Sequence, residues 1–349
     1  MSIVASAPGK VVIIGEYAVL EGAPALVMAV DRRVQVSLHP HDDSSCSVTA
    51  PGLTTDRGRF RLETSGPTWL EGDAATFRLA THTMAGFFAA SGNGWPCRPF
   101  DLILDSTPLT ANRNGKTRKL GLGASAALTV ALCHALGYHV ASQHEAVPMP
   151  DLERLVNIHA GLQGSRGSGL DIAASLHGGI IEYSRFPSPR AAPTDLPDDV
   201  SYAFVWTGRE ASTGGFLAQI DRWRRDGERS YQAIMGTLSE IARGAASAAR
   251  GNEAQTFLDC INEYADALEV LGSASSIDIL SAPHRRLQRL ARRYGVVYKP
   301  CGAGGGDIGV GMSRDPEALA GFRSGLAAGN FQPLSLRYDR EGVETRSGN

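Results

Sequence analysis

The sequence predicts an α+β protein of two domains, and three observations support that prediction. Apolar runs typical of strands lie near the start of the chain and at both ends of its second half. Helical apolar patterns fill the stretch from about 227 to 294. A proline-rich segment at 185–199 separates the two parts. We therefore expect an N-terminal domain at 1–190 and a C-terminal domain at 191–349.

The first half begins with strand patterns. An apolar run at 11–14 between glycines predicts a buried strand, and the alternation at 34–38 predicts a half-buried one. The polar, turn-rich stretch 43–75 predicts an exposed hairpin or loop. Further on, the patterns predict helices at 74–90, 126–136 and 150–162, and a strand at 100–104.

The second half mixes both element types. Strands are expected at 202–206, 296–298 and 308–312, with helices at 215–224, within 227–294 and at 317–328. The last residues, 345–349, show no strand or helix pattern and are expected to be frayed.

Composition argues against several classes of partner. The 349 residues carry a formal net charge of −2, so no global field attracts nucleic acid or acidic lipid. No segment approaches the roughly 20 apolar residues of a membrane span, and the N-terminus does not resemble a signal peptide. The five cysteines form no CxxC pair, which favours reduced thiols over zinc or disulfides. We expect a cytoplasmic enzyme with no nucleic-acid or membrane partner.

A glycine loop at residues 121–125 is the clearest candidate for an anion site. Gly121-Leu122-Gly123-Ala124-Ser125 precedes a predicted helix, where free backbone N–H groups and the helix dipole favour phosphate. Lys119 just upstream adds positive charge, and the Ser125 hydroxyl could contact a Mg²⁺ ion that bridges phosphates. Taken alone, the loop also fits a glycine-tightened helix start without a ligand.

Two common nucleotide motifs do not explain this region. Gly115-Lys116-Thr117 resembles the end of a P-loop, but Thr110 stands where the earlier glycine is required. Residues 121–126 match GxGxxA, yet the preceding segment is basic and polar rather than a predicted strand, so a Rossmann site lacks its context.

Three further features allow more than one interpretation. Asp171 follows a glycine turn and is either a helix cap or a carboxylate that accepts a proton or holds Mg²⁺ or a lysine. Lys10 is either a surface lysine or a partner for Asp171. The glycine-rich stretch 302–306, followed by Asp307, is either a flexible loop or backbone held close to a ligand.

Three segments resemble the GHMP kinases, in order and over essentially the whole chain. They are PGKVVIIGEYAVLEG at 8–22, GLGASAAL at 121–128 and KPCGAGGGDIGVG at 299–311. The resemblance implies a ribosomal protein S5 domain 2-like N-terminal domain and a ferredoxin-like C-terminal domain. Within the superfamily the chain is most similar to the phosphomevalonate kinases of the fungal and bacterial type, by GEYAV, QGSRGSGLDIA at 163–173, WTG…AST at 206–213, and Asp307.

The resemblance also implies roles for individual residues. Asp171 would be the catalytic carboxylate, Lys10 its electrostatic partner and Ser125 the contact to Mg²⁺. The residues expected to bind ATP are Lys119, Gly121, Leu122, Gly123, Ala124, Ser125 and Ala126. Those expected to bind the acceptor are Lys10, Tyr17, Arg166, Ser168, Gly169, Cys301, Gly302, Ala303 and Gly304, with Lys10 and Arg166 holding its phosphate.

The implied reaction is ATP-dependent phosphorylation of 5-phosphomevalonate to 5-diphosphomevalonate, in the mevalonate route to isoprenoids, by a monomer or homodimer. The chain departs from the family pattern at Ala124 and Cys301, where serines are usual. His159 and Ala160 occupy the region where mevalonate kinases place a magnesium-binding glutamate. The alternatives are another GHMP kinase acting on mevalonate or on a sugar or polyol, and a ligand sensor without turnover.

Overall fold

The computed structural model describes residues 1–63, 66–89, 97–113, 115–143, 149–162, 167–211, 213–329 and 331–348. The strands within these ranges are β1 (Ser2–Ile14), β2 (Ala25–Pro40), β3 (Cys46–Thr49), β4 (Arg57–Glu63), β5 (Gly66–Glu71), β6 (Phe100–Asp105), β7 (Thr110–Arg113), β8 (Lys116–Lys119), β9 (Ile180–Ser184), β10 (Arg190–Thr194), β11 (Ser201–Trp206), β12 (Val297–Pro300), β13 (Ile308–Ser313), β14 (Gln332–Leu334) and β15 (Glu344–Gly348). The helices are α1 (Arg78–Ala89), α2 (Ala124–Ala141), α3 (Leu152–Leu162), α4 (Leu170–His177), α5 (Thr213–Asp226), α6 (Glu228–Arg250), α7 (Ala254–Ser275), α8 (Ala282–Arg293) and α9 (Pro316–Ala328). The predicted α+β class is confirmed.

A nine-stranded sheet dominates the N-terminal part. Strands β1 and β2 pair antiparallel along most of their length, from Ile3 opposite Leu38 to Ile14 opposite Leu26. The remaining strands follow in the order β10-β9-β2-β6-β3-β4-β5, and β15 pairs with β1. The apolar run at 11–14, which lies within the first motif, is buried as predicted.

The prediction of a frayed C-terminus is wrong. Glu344–Gly348 forms β15 and pairs antiparallel with Ser2–Ser6 of β1. The segment has no apolar alternation, so its order comes from backbone pairing with the edge of β1, which a local pattern does not reveal. Strands on both sides of the expected division at residue 190 thus belong to the large sheet, because β10 and β15 both lie in it. The division itself remains a prediction.

Helix α2 packs against the large sheet and starts at the glycine loop. Small and apolar residues cover nearly all of its faces, so it is buried against β1, β2 and the neighbouring helices. Its length and composition would allow it to cross a membrane, but 72% of the segment is buried inside the protein. Helix α4 packs beside α2. The starts of α2 and α4 supply two of the site's loops.

The C-terminal part contains a four-stranded antiparallel sheet in the order β12-β13-β11-β14. Helices α8 and α9 pack on it, and α7 contacts β12. The turn between β12 and β13 holds the third glycine-rich motif. A separate two-stranded hairpin, β7–β8, precedes the glycine loop. The sequence analysis found no strand there because all four side chains of β8 are exposed and polar.

Candidate active site

Lys10 of β1 and Asp171 of α4 form an ion pair. Their Nζ and Oδ1 atoms are 3.4 Å apart, and the side chains are 10% and 31% exposed. Asp171 lies in the first turn of α4, after Gly169, whose φ of +87° brings the chain sharply into the helix. The Ser175 hydroxyl donates to the carbonyl of Pro8 at 2.9 Å and holds α4 against β1. The open question about Lys10 is resolved in favour of a partner for Asp171.

The glycine loop packs directly on this pair. The Lys10 N–H donates to the carbonyl of Leu122 at 2.9 Å. Gly123 has a φ of +79°, and a Cβ there would lie 3.1 Å from Cε of Lys10 and 3.6 Å from Oδ2 of Asp171. The loop therefore places the start of α2 close to both charged groups, and a side chain at position 123 would intrude on them.

Two cavities meet at the ion pair. The larger cleft has a cavity volume of about 690 Å³ and is bordered by the whole glycine loop and by Lys119, Glu210 and Asp307. The smaller pocket has a cavity volume of about 110 Å³. Its lining residues are Lys10, Val12, Glu16, Tyr17, Val19, Leu20, His159, Gly167, Ser168, Gly169, Leu170, Asp171, Leu217, Gly302 and Ala303. Lys10, His159 and Asp171 line both cavities, so a group passed from one cavity to the other would pass these three side chains.

Ser125 and His159 are hydrogen-bonded at the wall of the larger cleft. Ser125 Oγ lies 3.1 Å from Nε2 of His159, which is 4% exposed. Burial lowers the pKa of His159, although the charge of Asp171 opposes that shift. The imidazole is therefore neutral near pH 7.

The residues present fit a magnesium ion bound together with phosphates. Within the described ranges, no three His, Cys, Asp or Glu side chains come together as a metal-binding group. Mg²⁺ in such sites needs only one or two protein oxygens, because phosphates and waters supply the rest. The Ser125 hydroxyl and the Asp171 carboxylate, which both border the larger cleft, are oxygen donors of this kind.

The third motif closes the smaller pocket from the C-terminal part of the chain. The hydroxyl of Tyr17 donates to the carbonyl of Ala303 at 2.6 Å. On the opposite wall, the hydroxyl of Tyr183 donates to the carbonyl of Ser168 at 2.7 Å. Tyrosine hydroxyls thus hold two of the loops around the pocket.

A buried ion pair beneath the pocket was missed by the sequence analysis. Lys299 Nζ lies 2.5 Å from Glu16 Oε1, with side-chain exposures of 0% and 5%. Burial raises the pKa of Glu16, and the charge of Lys299 opposes the shift. The Tyr264 hydroxyl donates to the Glu16 carbonyl at 2.5 Å. A lysine within a buried strand pattern is a signal that could have found this pair, since buried lysines are almost always paired.

Several residues assigned from the sequence lie away from the cavities. Cys301 is 9% exposed and Ala126 is fully buried; neither is among the described residues that line the two cavities. Burial raises the pKa of the Cys301 thiol to about 12, so the thiol stays protonated. Gly304 packs against Ile279 instead, where a Cβ would lie 2.6 Å from the Ile279 carbonyl oxygen. Arg166 lies outside the described residues.

The other assigned residues border one of the two cavities. Those on the larger cleft are Lys119, Gly121, Leu122, Gly123, Ala124 and Ser125. Those on the smaller pocket are Tyr17, Ser168, Gly169, Gly302 and Ala303.

Comparison with known proteins relates this arrangement to one family. Residues 85–179 match the GHMP kinases N terminal domain. The phosphomevalonate kinase of Streptomyces sp. strain CL190 is 26% identical over 376 residues, covering 98% of each chain. The chain is similar to the GHMP kinases over nearly its whole length. These relatives and the three motifs both indicate a phosphotransferase of that type.

Other relatives of this chain have different acceptors in their names. The mevalonate kinase of Aeropyrum pernix is 26% identical over 351 residues, covering 97% of each chain. In fold, the chain resembles the Streptococcus pneumoniae phosphomevalonate kinase solved in complex with phosphomevalonate and AMPPNP. The TM-score is 0.77 at 20% identity, covering 96% of this chain and 99% of that one. Relatives with both activities therefore span nearly the whole chain.

Proposed function

We propose that this protein transfers the γ-phosphoryl group of ATP to 5-phosphomevalonate, yielding 5-diphosphomevalonate and ADP. The observation that supports it most is the ion pair of Lys10 and Asp171, located where the larger cleft meets the smaller pocket. In this proposal ATP occupies the larger cleft and the acceptor occupies the smaller pocket.

The backbone around the glycine loop would hold the ATP phosphates. Free N–H groups at the start of α2, the helix dipole and Lys119 all favour negative charge in the larger cleft. The Ser125 hydroxyl would help to hold Mg²⁺ there, and the ion would supply positive charge against the phosphates.

At the junction, Asp171 and Lys10 act on the transferred group. The acceptor is already an anionic phosphate, so its deprotonation needs little assistance. Asp171 would orient the attacking oxygen, and Lys10 would stabilise charge on the phosphoryl group in flight. Lys10 is well placed for this because its side chain is only 10% exposed and its backbone is tied to Leu122.

The acceptor is supported by a sequence relative and by the motifs. The Streptomyces relative is named a phosphomevalonate kinase, and the GEYAV and GAGGGD motifs follow the pattern of that group. His159 occupies the region of the glutamate found in mevalonate kinases.

Mevalonate is a second candidate acceptor, favoured by one observation. Among the described residues that line the smaller pocket, Lys10 is the only lysine or arginine. A phosphate monoester carries nearly two negative charges at pH 7, and Arg166, which we assign to that phosphate, lies outside the described residues. A cytoplasmic location and a monomeric or homodimeric state remain predictions.

A panel of acceptors distinguishes these candidates. ADP release would be followed with 5-phosphomevalonate, mevalonate and galactose, each with Mg²⁺ and ATP. We expect turnover with 5-phosphomevalonate and a much lower kcat/KM with the other two. Robust turnover of mevalonate without activity on 5-phosphomevalonate would overturn the proposed acceptor. Arg166→Ala should raise the KM for 5-phosphomevalonate and leave that for ATP unchanged.

A further inference from the structure

We propose that His159 is a positioning residue for Ser125. Its Nε2 accepts a hydrogen bond from the Ser125 hydroxyl, so that a lone pair of Ser125 points towards the metal ion of the metal–nucleotide complex. The inference rests on the proposed ATP site in the larger cleft. It concerns a histidine for which the family resemblance implies no role.

The chemistry of a serine hydroxyl limits how Ser125 can face a cation. The group has one hydrogen to donate and two lone pairs to share. A serine that contacts a cation must turn a lone pair towards it and must send its hydrogen elsewhere. Nε2 of His159 lies 3.1 Å from Ser125 Oγ, which is hydrogen-bonding distance.

The surroundings of His159 hold the imidazole in place. The residue lies in the last turn of α3 and is 4% exposed. At the residue before His159, helix α3 is hydrogen-bonded to α1, because His82 Nε2 lies 2.9 Å from the Ile158 carbonyl oxygen. A Cβ on Gly161 would lie 2.4 Å from the same His82 ring. The hydrogen bond between α1 and α3 and the burial of His159 together keep this turn of α3 beside Ser125.

His159 is better suited to act through Ser125 than to bind the metal itself. Mg²⁺ prefers oxygen ligands, whereas imidazole suits zinc, copper, iron and nickel. An imidazole with its proton on Nδ1 presents Nε2 as an acceptor, and that is the tautomer a metal-facing Ser125 requires. The histidine thus supports a metal contact made by Ser125 without binding the metal itself.

The test measures how strongly Mg²⁺ tightens nucleotide binding, without any turnover. The Kd of AMPPNP is measured by calorimetry with excess Mg²⁺ and with EDTA, and the ratio of the two values is compared among variants. His159→Phe, which keeps a ring but removes the acceptor, should reduce the ratio about tenfold, the equivalent of about 1.4 kcal/mol. The Kd in EDTA should stay within about twofold. His159→Gln, whose amide oxygen can accept the proton, should restore part of the ratio.

A double-mutant cycle separates this mechanism from a merely structural one. Because His159 acts through Ser125, His159→Phe should have no further effect in a Ser125→Ala background. Additive effects of the two substitutions, or an unchanged ratio in His159→Phe, would overturn the inference. Failure of the wild-type protein to bind AMPPNP at all would instead contradict the proposed function.

A measurement on the wild-type protein covers the case in which His159→Phe does not fold. Ring ¹⁵N chemical shifts of His159, with Mg²⁺ and AMPPNP bound, report which nitrogen carries the proton. We expect the proton on Nδ1 with Nε2 unprotonated. A proton on Nε2 would overturn the inference.

Discussion

The carboxyl group of Asp307 lies directly against Gly121, the first residue of the glycine loop. A Cβ at position 121 would lie 2.4 Å from the Asp307 carboxyl carbon, and Gly121 has a φ of +81°. Both the backbone conformation and the contact therefore require glycine. Asp307 belongs to the third glycine-rich motif, so this contact joins that motif to the loop that we assign to ATP.

Gly121→Ala should destabilise the protein and weaken nucleotide binding. A left-handed alanine costs about 1–2 kcal/mol, and the clash with Asp307 adds about 1–3 kcal/mol of strain. We expect a combined loss of about 2–5 kcal/mol in the free energy of unfolding and at least about a tenfold rise in the Kd of AMPPNP. Urea unfolding and calorimetry measure the two effects.

Gly115→Ala is the matched control for Gly121→Ala. Gly115 has a φ of +74°, but a Cβ there would have nothing within 4 Å. Its substitution should cost only the backbone term of about 1–2 kcal/mol and should leave AMPPNP binding unchanged. Equal losses in the two variants would show that the Asp307 contact contributes nothing.

Asp307 should make stability depend on pH. Burial raises its pKa from the usual 3.8 to about 6, while the N–H of Ala211, which donates to its carboxylate, opposes the shift. A carboxyl whose pKa is raised on folding favours the folded state below pH 3.8, and that contribution is lost as the pH rises through 6. Relative to Asp307→Asn, the wild-type protein should lose about 2–3 kcal/mol of unfolding free energy between pH 4 and pH 8.

Asp307→Asn suits this comparison because it changes only the ionisation. Asparagine keeps an oxygen for the Ala211 N–H, and it tolerates the φ of +53° found at this position. Urea unfolding of both proteins at several pH values gives the difference directly. A difference that is constant from pH 4 to pH 8 would contradict the assignment.

Lys299→Met should be severely destabilising. The substitution leaves the Glu16 carboxylate buried without its partner, and breaking a buried pair in this way costs about 3–5 kcal/mol. The double variant Glu16→Gln/Lys299→Met should recover part of that loss, because no uncompensated charge remains. Denaturant unfolding of the three proteins measures both steps.

An exposed pair provides the control for the Lys299 prediction. Arg285 is paired with Glu269, and both side chains are more than 40% exposed. Arg285→Met should cost less than about 1 kcal/mol. If Lys299→Met were no more harmful than Arg285→Met, the pair beneath the smaller pocket would have no structural role.

Local patterns in the sequence predicted the helices and several of the strands. Apolar runs located β1, β2, β11 and β13, and helical periodicity located α2 and the long helices α6 and α7. Those elements bury their own side chains, so their patterns show their type. The hairpin β7–β8 and strand β15 were missed because backbone pairing, not side-chain burial, defines them.

The candidate site was less accessible to sequence reasoning. The residue types at Lys10 and Asp171 allowed several roles, and only the fold places the two side chains 3.4 Å apart. The contact between Ser125 and His159 likewise joins two helices and has no local signature. Cys301 was assigned to the acceptor from its motif alone, whereas the turn between β12 and β13 buries it. The sequence could not show which distant segments of the chain lie next to each other in the fold.

The turnover number of Asp171→Asn shows whether this ion pair takes part in phosphoryl transfer. Asparagine preserves the shape of Asp171 but removes the charge that faces Lys10 at the junction of the two cavities. We predict that kcat with 5-phosphomevalonate falls by at least about a hundredfold because the attacking oxygen loses its orientation, while the Kd of AMPPNP measured in EDTA stays within about threefold. A kcat within a few-fold of the wild-type value would contradict the assignment of phosphoryl transfer to this ion pair.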